Sequence, residues 1–311
     1  MATQRDVRNR ISSVKNIQKI TRAMEMVAAA RLRRAEQRIT ALRPYAEAIR
    51  RMTRQAADAA GAETARLPLL SEHDSERNVG LLLITGDRGL AGGFNSQVIR
   101  AGIRFGGELS DQGREIRWYA TGRRGVSSLT FRGRELAGSY TGFADRPAYA
   151  DARTIADDVM TGYIDGHLDR VDVLYNAYVS PLVQHLTRET LLPLSHATVT
   201  GEQEDDEARG EVAGEGEQGA EEGPRPLVEY EPEPEDLLKR LVPDYVEISI
   251  YRALVESTAG FFGAQMTAMR SASDNAGEII TDLTLQMNRA RQAEITQEIM
   301  EVVAGAEGLT A

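Results

Sequence analysis

Both ends of the chain repeat apolar and small residues in alternating steps of four and three. From Val7 the series runs through Ile11, Val14, Gln18, Thr21, Glu25, Ala28, Leu32, Ala35, Ile39, Leu42, Ala46, Ile49, Thr53 and Ala56. That is a heptad seam, and a seam of this kind can be buried only against another helix. Gln18, Thr21 and Glu25 make its middle polar, where a neighbouring stripe of Ile17, Ile20, Met24 and Val27 is expected to take the apolar role. Thr3 to Asp58 would span about 84 Å at about 1.5 Å per residue. Pro44 lacks an N–H and its ring crowds the preceding turn, so a bend or break is expected near Thr40 to Arg43.

The second seam runs through Val255, Ala259, Phe262, Met266, Met269, Ser273, Ala276, Ile280, Leu283, Met287 and Ala290. It narrows at Ser273 and Ala276 beside Gly277, so a partner helix can approach closely there. After Ala290 the apolar set moves to Ile295, Ile299, Val302 and Val303, with Met300 on another face, giving a tip that is apolar on more than one side. One helix opening the chain and one closing it pair most simply as an antiparallel intramolecular coiled coil. A parallel homodimer zipper is the competing arrangement.

Between the seams the periodicity changes. Val79-Gly-Leu-Leu-Leu-Ile-Thr85 is a short apolar run ended by Gly86, which reads as a buried strand. Ser96 to Leu109 reads as helix, Arg117 to Thr121 as strand, Asp151 to His167 as helix and Asp172 to Val179 as strand; Leu182 to Thr200 adds another strand. Strand and helix alternating in this way imply a small open α/β sheet of Rossmann-like character. The expected organisation is a coiled-coil helix over 1–60, an α/β domain over 75–200, an acidic insertion over 201–224 and a second coiled-coil helix over 236–308.

Charge is segregated. Gly201 to Pro224 holds ten acids and one base among six glycines, a composition that buries almost nothing and reads as a disordered loop. Residues 1–58 carry fourteen Lys and Arg against five acids. Such a face suits nucleic acid, an anionic membrane surface or an acidic protein partner. The near absence of aromatics there argues against single-stranded nucleic acid.

Candidate chemistry is thin. Thr85-Gly-Asp-Arg-Gly-Leu-Ala-Gly-Gly-Phe-Asn95 lies between a strand and a helix, where a glycine loop can cradle phosphate. It lacks the Gly-Lys-Ser/Thr ending of a nucleotide loop and the dinucleotide glycine spacing, so a structural turn is the stronger reading. His73, His167, His185 and His196 have no metal-ligand spacing. Asp172, Ser180 and His185 form no triad that a nucleophile elbow would support. With no cysteine in the chain, thiolate sites and disulfides are excluded. No apolar run approaches the roughly 20 residues of a membrane helix, and the Arg-bearing N-terminus has no apolar core behind it, so a cytoplasmic chain is expected. The residues alone describe a rod with a side domain and no evident active site.

Ser13-Val-Lys-Asn-Ile-Gln-Lys-Ile-Thr-Arg-Ala-Met-Glu-Met-Val-Ala-Ala-Ala30 closely resembles the N-terminal signature of the gamma subunit of F-type ATP synthases. Met269-Arg-Ser-Ala-Ser-Asp-Asn-Ala-Gly277 and Asn288 to Gly305 resemble the C-terminal signature of the same family. The turn at Gly86 to Asn95 and Tyr230-Glu-Pro-Glu-Pro234 are similar to it as well, while 201–224 departs from it as an insertion, and Ala91 stands where many members carry cysteine. The resemblance implies a central rotor shaft, one copy per complex, coupling rotation of a membrane ring of c subunits to ATP synthesis, or in reverse hydrolysis, at the catalytic beta subunits.

It also implies the partners: alpha, beta and epsilon subunits and the c-ring, with no nucleic acid and no insertion into the membrane. The chain would be held through the complex as a peripheral protein on the cytoplasmic face of the cell membrane. It would have no catalytic, cofactor or metal site, Mg-ATP and ADP being bound by partner subunits. Arg22, Met24, Arg291, Gln292 and Thr296 match beta-subunit contacts; Ile295, Ile299, Val302 and Val303 match an apolar bearing tip; Tyr230 and Glu231 match positions near the c-ring. No family role transfers to the insertion. Its position ahead of Tyr230 suggests that it touches the ring, epsilon or the catalytic subunits to bias the direction of rotation, the alternative being a solvated tether.

Overall fold

The computed structural model describes residues 4–61, 67–73, 75–194 and 233–310, the last six as backbone only. Helix α1 (Gln4–Ala60) and helix α5 (Pro234–Thr310) form the rod. With 57 and 77 residues they measure about 85 and 115 Å at about 1.5 Å per residue. The insertion over 201–224, the stretch 195–200, and Tyr230 and Glu231 lie outside the described residues.

The side domain contains β1 (Asn78–Ile84), α2 (Phe94–Asp111), β2 (Glu115–Thr121), α3 (Arg123–Phe131), β3 (Leu136–Tyr140), α4 (Tyr149–Ile164), β4 (Arg170–Tyr178) and β5 (Gln184–Leu192). Its sheet has the order β3-β2-β1-β4-β5. β1, β2, β3 and β4 are parallel, and β5 returns antiparallel beside β4, pairing Val171 with Leu192 and Tyr178 with Gln184. β1 sits centrally and has no polar side chain from Val79 to Ile84 because both of its faces are covered there.

Alternation along β1 divides the core in two. Val79, Leu81 and Leu83 face α2 with Trp118, Val98 and Leu109. Gly102 permits that approach, since a Cβ there would stand 2.6 Å from Leu83. Leu82 and Ile84 face the other way, into a larger cluster of α4 (Ile155, Val159, Tyr163), the end of α1 (Ile49, Ala56, Ala57) and the start of α5 (Leu238, Val242, Val246, Ile250, Leu254). Thus the rod is rooted in the domain by the last three turns of α1 and the first six of α5.

α3 and β3 are absent from the sequence reading. β3 is Leu-Ala-Gly-Ser-Tyr at an edge, with neither apolar weight nor alternation; Gly138 fits because a Cβ there would meet Tyr119 and Tyr140 at 2.6 Å. A second difference concerns Pro44. α1 runs unbroken through it, because the proline is exposed and costs one N–H, while Ile39, Leu42, Ala46 and Ile49 on either side keep packing inward.

Candidate functional site

The two helices pair antiparallel within one chain. Gln18 Nε2 donates to the Ser273 carbonyl at 3.2 Å, and Glu25 meets Arg270 at 2.9 Å. Leu32 and Ala35 pack with Phe262 and Ala259. As residue number falls in α1 it rises in α5. Val7, Ile11, Thr21, Ala28, Leu32 and Ala35 are buried on one side of the seam, and Val255, Ala259, Phe262, Met269, Ser273 and Ala276 on the other. Where Gln18 and Thr21 interrupt the apolar series, the seam is satisfied by hydrogen bonds rather than by rotation onto the neighbouring stripe: Thr21 Oγ1 donates to the Gln18 carbonyl at 3.0 Å. The opposing small residues let the long Gln18 side chain lie across, and a Cβ on Gly277 would stand 3.2 Å from its amide nitrogen.

The expected shift of the apolar role to Ile17, Ile20 and Val27 therefore does not occur. They are 50%, 58% and 52% exposed, leaving a second apolar face open on the shaft. Met24 is half-buried between the two faces, and Arg22 is exposed one position past Thr21.

Extending the pairing brings Gln4 level with about Asn288. Beyond it no other described element runs beside α5, and every residue from Arg291 to Ala304 is exposed. Arg291, Gln292 and Thr296 lie on this single helix with Ile295, Ile299, Val302 and Val303. Thr296 Oγ1 donates back to the Gln292 carbonyl at 2.9 Å, and Gln297 Nε2 donates to Glu301 at 3.0 Å. Val302 is 73% exposed and Met300 64%, so an unpaired helix ends in uncovered apolar side chains. Isolated helices of this length are marginal in water, and a contiguous apolar surface of this kind marks a place where another molecule belongs.

At the other end the glycine turn becomes a socket. Gly86 N–H donates to Asn95 Oδ1 at 2.8 Å, and Asn95 Nδ2 donates back to the Arg88 carbonyl at 3.0 Å. Leu90 takes a left-handed φ of 64° and Gly92 one of 55°. The loop's acid, Asp87, accepts from the N–H groups of Arg123, Gly142 and Ala144 at 3.0 to 3.1 Å, tying the turn to the start of α3 and to the loop after β3. Ala91 and Phe94 then close on Phe261 and Phe262 of α5, and a Cβ on Gly86 would stand 3.0 Å from the Phe261 ring. The glycines bring the backbone against the shaft, where a phosphate-binding loop would face open space.

Two polar clusters escape the sequence reading because their members are far apart in the chain. Arg252 of α5 meets Glu189 of β5 at 2.6 Å, and Tyr175 donates to the same carboxylate at 2.7 Å. Burial pushes the carboxyl of neighbouring Glu256 above its ordinary pKa, against the pull of Arg252. This network pins the shaft to the sheet edge. The second cluster lines a groove of about 550 Å³ between α1, α5 and the loop after β3. Arg31 pairs with Asp145 at 3.0 Å and lies 5.5 Å over the Phe262 ring, while Arg34, Arg38 and Arg146 line the same groove. The basic run of α1 is visible in the sequence; Asp145, 114 residues away, is not.

Among the described residues no group of three or more His, Asp and Glu could hold a metal ion. Asp172 is committed to Arg170 and Thr190 inside the sheet, at 3.1 and 2.8 Å. No described helix is long and apolar enough to cross a membrane. The arrangement offers surfaces: a socketed shaft, an open apolar stripe and a bare tip.

Known proteins share this arrangement. A family described as ATP synthase matches residues 3–309. The ATP synthase gamma chain of Rubrobacter xylanophilus is 42% identical over 311 residues, covering 100% of both chains, and that of Frankia casuarinae is 41% identical, covering 98% of this chain and 97% of its own. In fold the chain is similar to one from the Euglena gracilis mitochondrial ATP synthase, at a TM-score of 0.65 and 16% identity, covering 98% of this chain and 94% of that one. A chain from the central stalk and c-ring of the Tetrahymena thermophila mitochondrial ATP synthase is similar at a TM-score of 0.58 and 24% identity, covering 82% and 99%.

Proposed function

The chain belongs to the ATP synthase gamma-chain family, and from that premise we propose that it is the central-stalk rotor coupling rotation of a membrane ring to nucleotide chemistry in partner subunits. The observation that carries the reading is the antiparallel shaft that outgrows its own partner helix and ends in a bare apolar tip. A part that turns needs a rigid body, a root for torque and a bearing surface with few directional bonds. α1 and α5 supply the first, the domain core the second, and Ile295, Ile299, Val302 and Val303 the third.

Three chemically identical catalytic subunits hold different nucleotide affinities only if something asymmetric touches each one differently. A two-helix shaft with an apolar stripe on one side and Arg22, Arg33 and Arg34 on others is asymmetric about its long axis. Each orientation stabilises a different conformation in the subunit it faces, so rotation becomes a change in affinity. In this reading Arg291, Gln292, Thr296, Arg22 and Met24 contact beta subunits, and Mg-ATP and ADP are bound by partners, with no catalytic site in this chain. Tyr230 and Glu231 sit near the c-ring. The alpha, beta and epsilon subunits complete the surroundings, one copy of this chain serving each complex as a peripheral protein on the cytoplasmic face of the membrane.

The test is purification of the tagged chain from its own membranes. One copy recovered with catalytic, non-catalytic and ring subunits and with ATPase activity supports the rotor reading; recovery as a homodimer alone sinks it. Within a recovered complex, alanine at Arg291 and Gln292 together is expected to lower ATP-driven proton pumping more than ATP hydrolysis. Equal pumping-to-hydrolysis ratios in variant and parent would remove those residues from the coupling path.

A further inference from the structure

The groove between α1, α5 and the loop after β3 carries more positive charge than its neighbours neutralise. Arg31 is answered by Asp145, which Arg88 also approaches at 3.6 Å. Arg34, Arg38 and Arg146 line the same space and make no ion pair among the described residues. Ala35, Pro147, Val255 and Phe262 give it an apolar wall. Guanidinium groups converging on a groove without partners call for carboxylates or phosphates, which they bind through paired N–H donors.

We propose that the groove docks the chain's own acidic stretch, Glu202 to Glu222. Charge is the first argument: 201–224 carries ten acids against one base, while residues 1–58 carry fourteen bases against five acids, so the stretch and the α1 face are each other's complement. Reach is the second. The described chain stops at Leu194, whose N–H donates to the Leu69 carbonyl at the Val171 end of β4, and resumes at Glu233, the residue before α5. The groove lies at the opposite end of the sheet, about 32 Å along α5 from Pro234 to Val255 at about 1.5 Å per residue. Eleven residue-to-residue steps lead from Leu194 to Asp205, and eleven from Glu222 to Glu233. At about 3.3 Å each they span about 36 Å in either direction, so the acids between them reach the groove and the chain returns.

Tethering is the third argument. A segment fixed at both ends is present near the groove at an effective concentration in the millimolar range, which makes individually weak, exposed ion pairs add up. Gly210, Gly214, Gly216 and Gly219, spaced among the acids, let the carboxylates adapt to arginines one helical turn apart. The contact covers part of the basic face of α1 in the free chain, and an acidic surface that meets the same face must displace it.

The absence of cysteine gives a clean experiment on the full-length chain. Single cysteines are introduced at Gln37, which lines the groove, and at Gly214 in the acidic stretch, with Asp111 at the far end of α2 replaced by cysteine in place of Gln37 as the control pair. Oxidation at about 0.1 M salt is expected to join Q37C to G214C and to leave the control unjoined. The yield is expected to fall to control level at about 1 M salt, where the screening length drops from about 10 Å to about 3 Å. R34E with R38E is expected to abolish the cross-link, as is replacement of Asp205, Asp206 and Glu207 by their amides. A yield equal to the control, or one indifferent to salt and to both sets of substitutions, overturns the proposal. So does a missing cross-link accompanied by thermal stabilisation with inorganic pyrophosphate, which would mark a small-anion site. The cross-link is read on the free chain, so it stands or falls separately from the rotor reading, which membrane purification tests.

Discussion

Helix α5 divides into two regions that share a backbone and little else. From Leu238 to Phe262 it is held by tertiary burial: Leu238, Val242, Val246, Ile250, Leu254, Phe261 and Phe262 all lie inside, and Arg252 is clamped to Glu189. From Arg291 to Ala304 every residue is exposed, and among the described residues its side-chain hydrogen bonds stay within its own turns. The first region would be helical wherever the domain folds. The second has a helix's sequence but no tertiary reason to be one, so its order and its purpose both depend on what surrounds it. The comparison separates positions that keep the chain folded from positions that work on something else.

Phe262→Ala should show the largest effect in the isolated chain. It removes a side chain that is 2% exposed where α1, α5 and the glycine socket meet, and a loss of about 3–5 kcal/mol in denaturant unfolding is expected. Next comes Asp169, whose carboxylate accepts from the N–H groups of Arg77 and Asn78 at 2.9 and 2.7 Å and faces His73 at 2.9 Å. Asp169→Ala leaves those two N–H groups, only partly shielded from water, without their carboxylate, for about 1 kcal/mol. Burial works to raise the pKa of this acid, but the two N–H groups and His73 overcome it and hold the pKa below the ordinary value. Its contribution is therefore complete above the unfolded-state pKa and is lost as pH falls through the lower folded value. The parent should lose stability on acidification more steeply than the alanine variant, and parallel curves would show that Asp169 is not the group responsible.

Overpacking the narrow part of the seam with Ala276→Leu should cost about 1–3 kcal/mol, because Gln18 lies across it. The smallest effect belongs to the bare end. Ile299→Ser should change unfolding of the isolated chain by no more than about 0.5 kcal/mol while lowering ATP synthesis in the assembled enzyme. If Ile299→Ser cost as much as Phe262→Ala in the free chain, the division of α5 would be wrong.

Much of this contrast is written in the heptads. The positions from Val7 to Ala56 that repeat in fours and threes are the ones that turn inward, and the polar positions Gln18 and Thr21 keep their places because Gln18 donates across the seam to the Ser273 carbonyl while Thr21 donates within α1 to the Gln18 carbonyl. Apolarity is not the only way to fill a seam, so of the neighbouring stripe Ile17, Ile20, Met24 and Val27 only Met24 is even half-buried. Pro44 misled similarly: a local rule predicted a break, and long-range packing on both sides of the proline outweighed one missing hydrogen bond. β3 was illegible because an edge strand needs little burial. The groove was half legible, its arginines being clustered on α1 while Asp145 and Arg146 arrive from a loop whose position is decided by Asp87 gripping Gly142 and Ala144. Nothing in the periodicity of either end shows that α5 outgrows α1; that follows only once the register of Gln18 with Ser273 is known.

That register also fixes how the rod would carry a twist. Up to the level of Gln4, two helices locked by side chains share any torque that enters through the domain; past it, one helix about 10 Å across carries all of it. Torsional compliance is therefore concentrated in the last turns of α5, and the domain end is stiff. A load that hesitates at the tip would be stored there first as elastic twist, smoothing discrete steps at one end into continuous motion at the other.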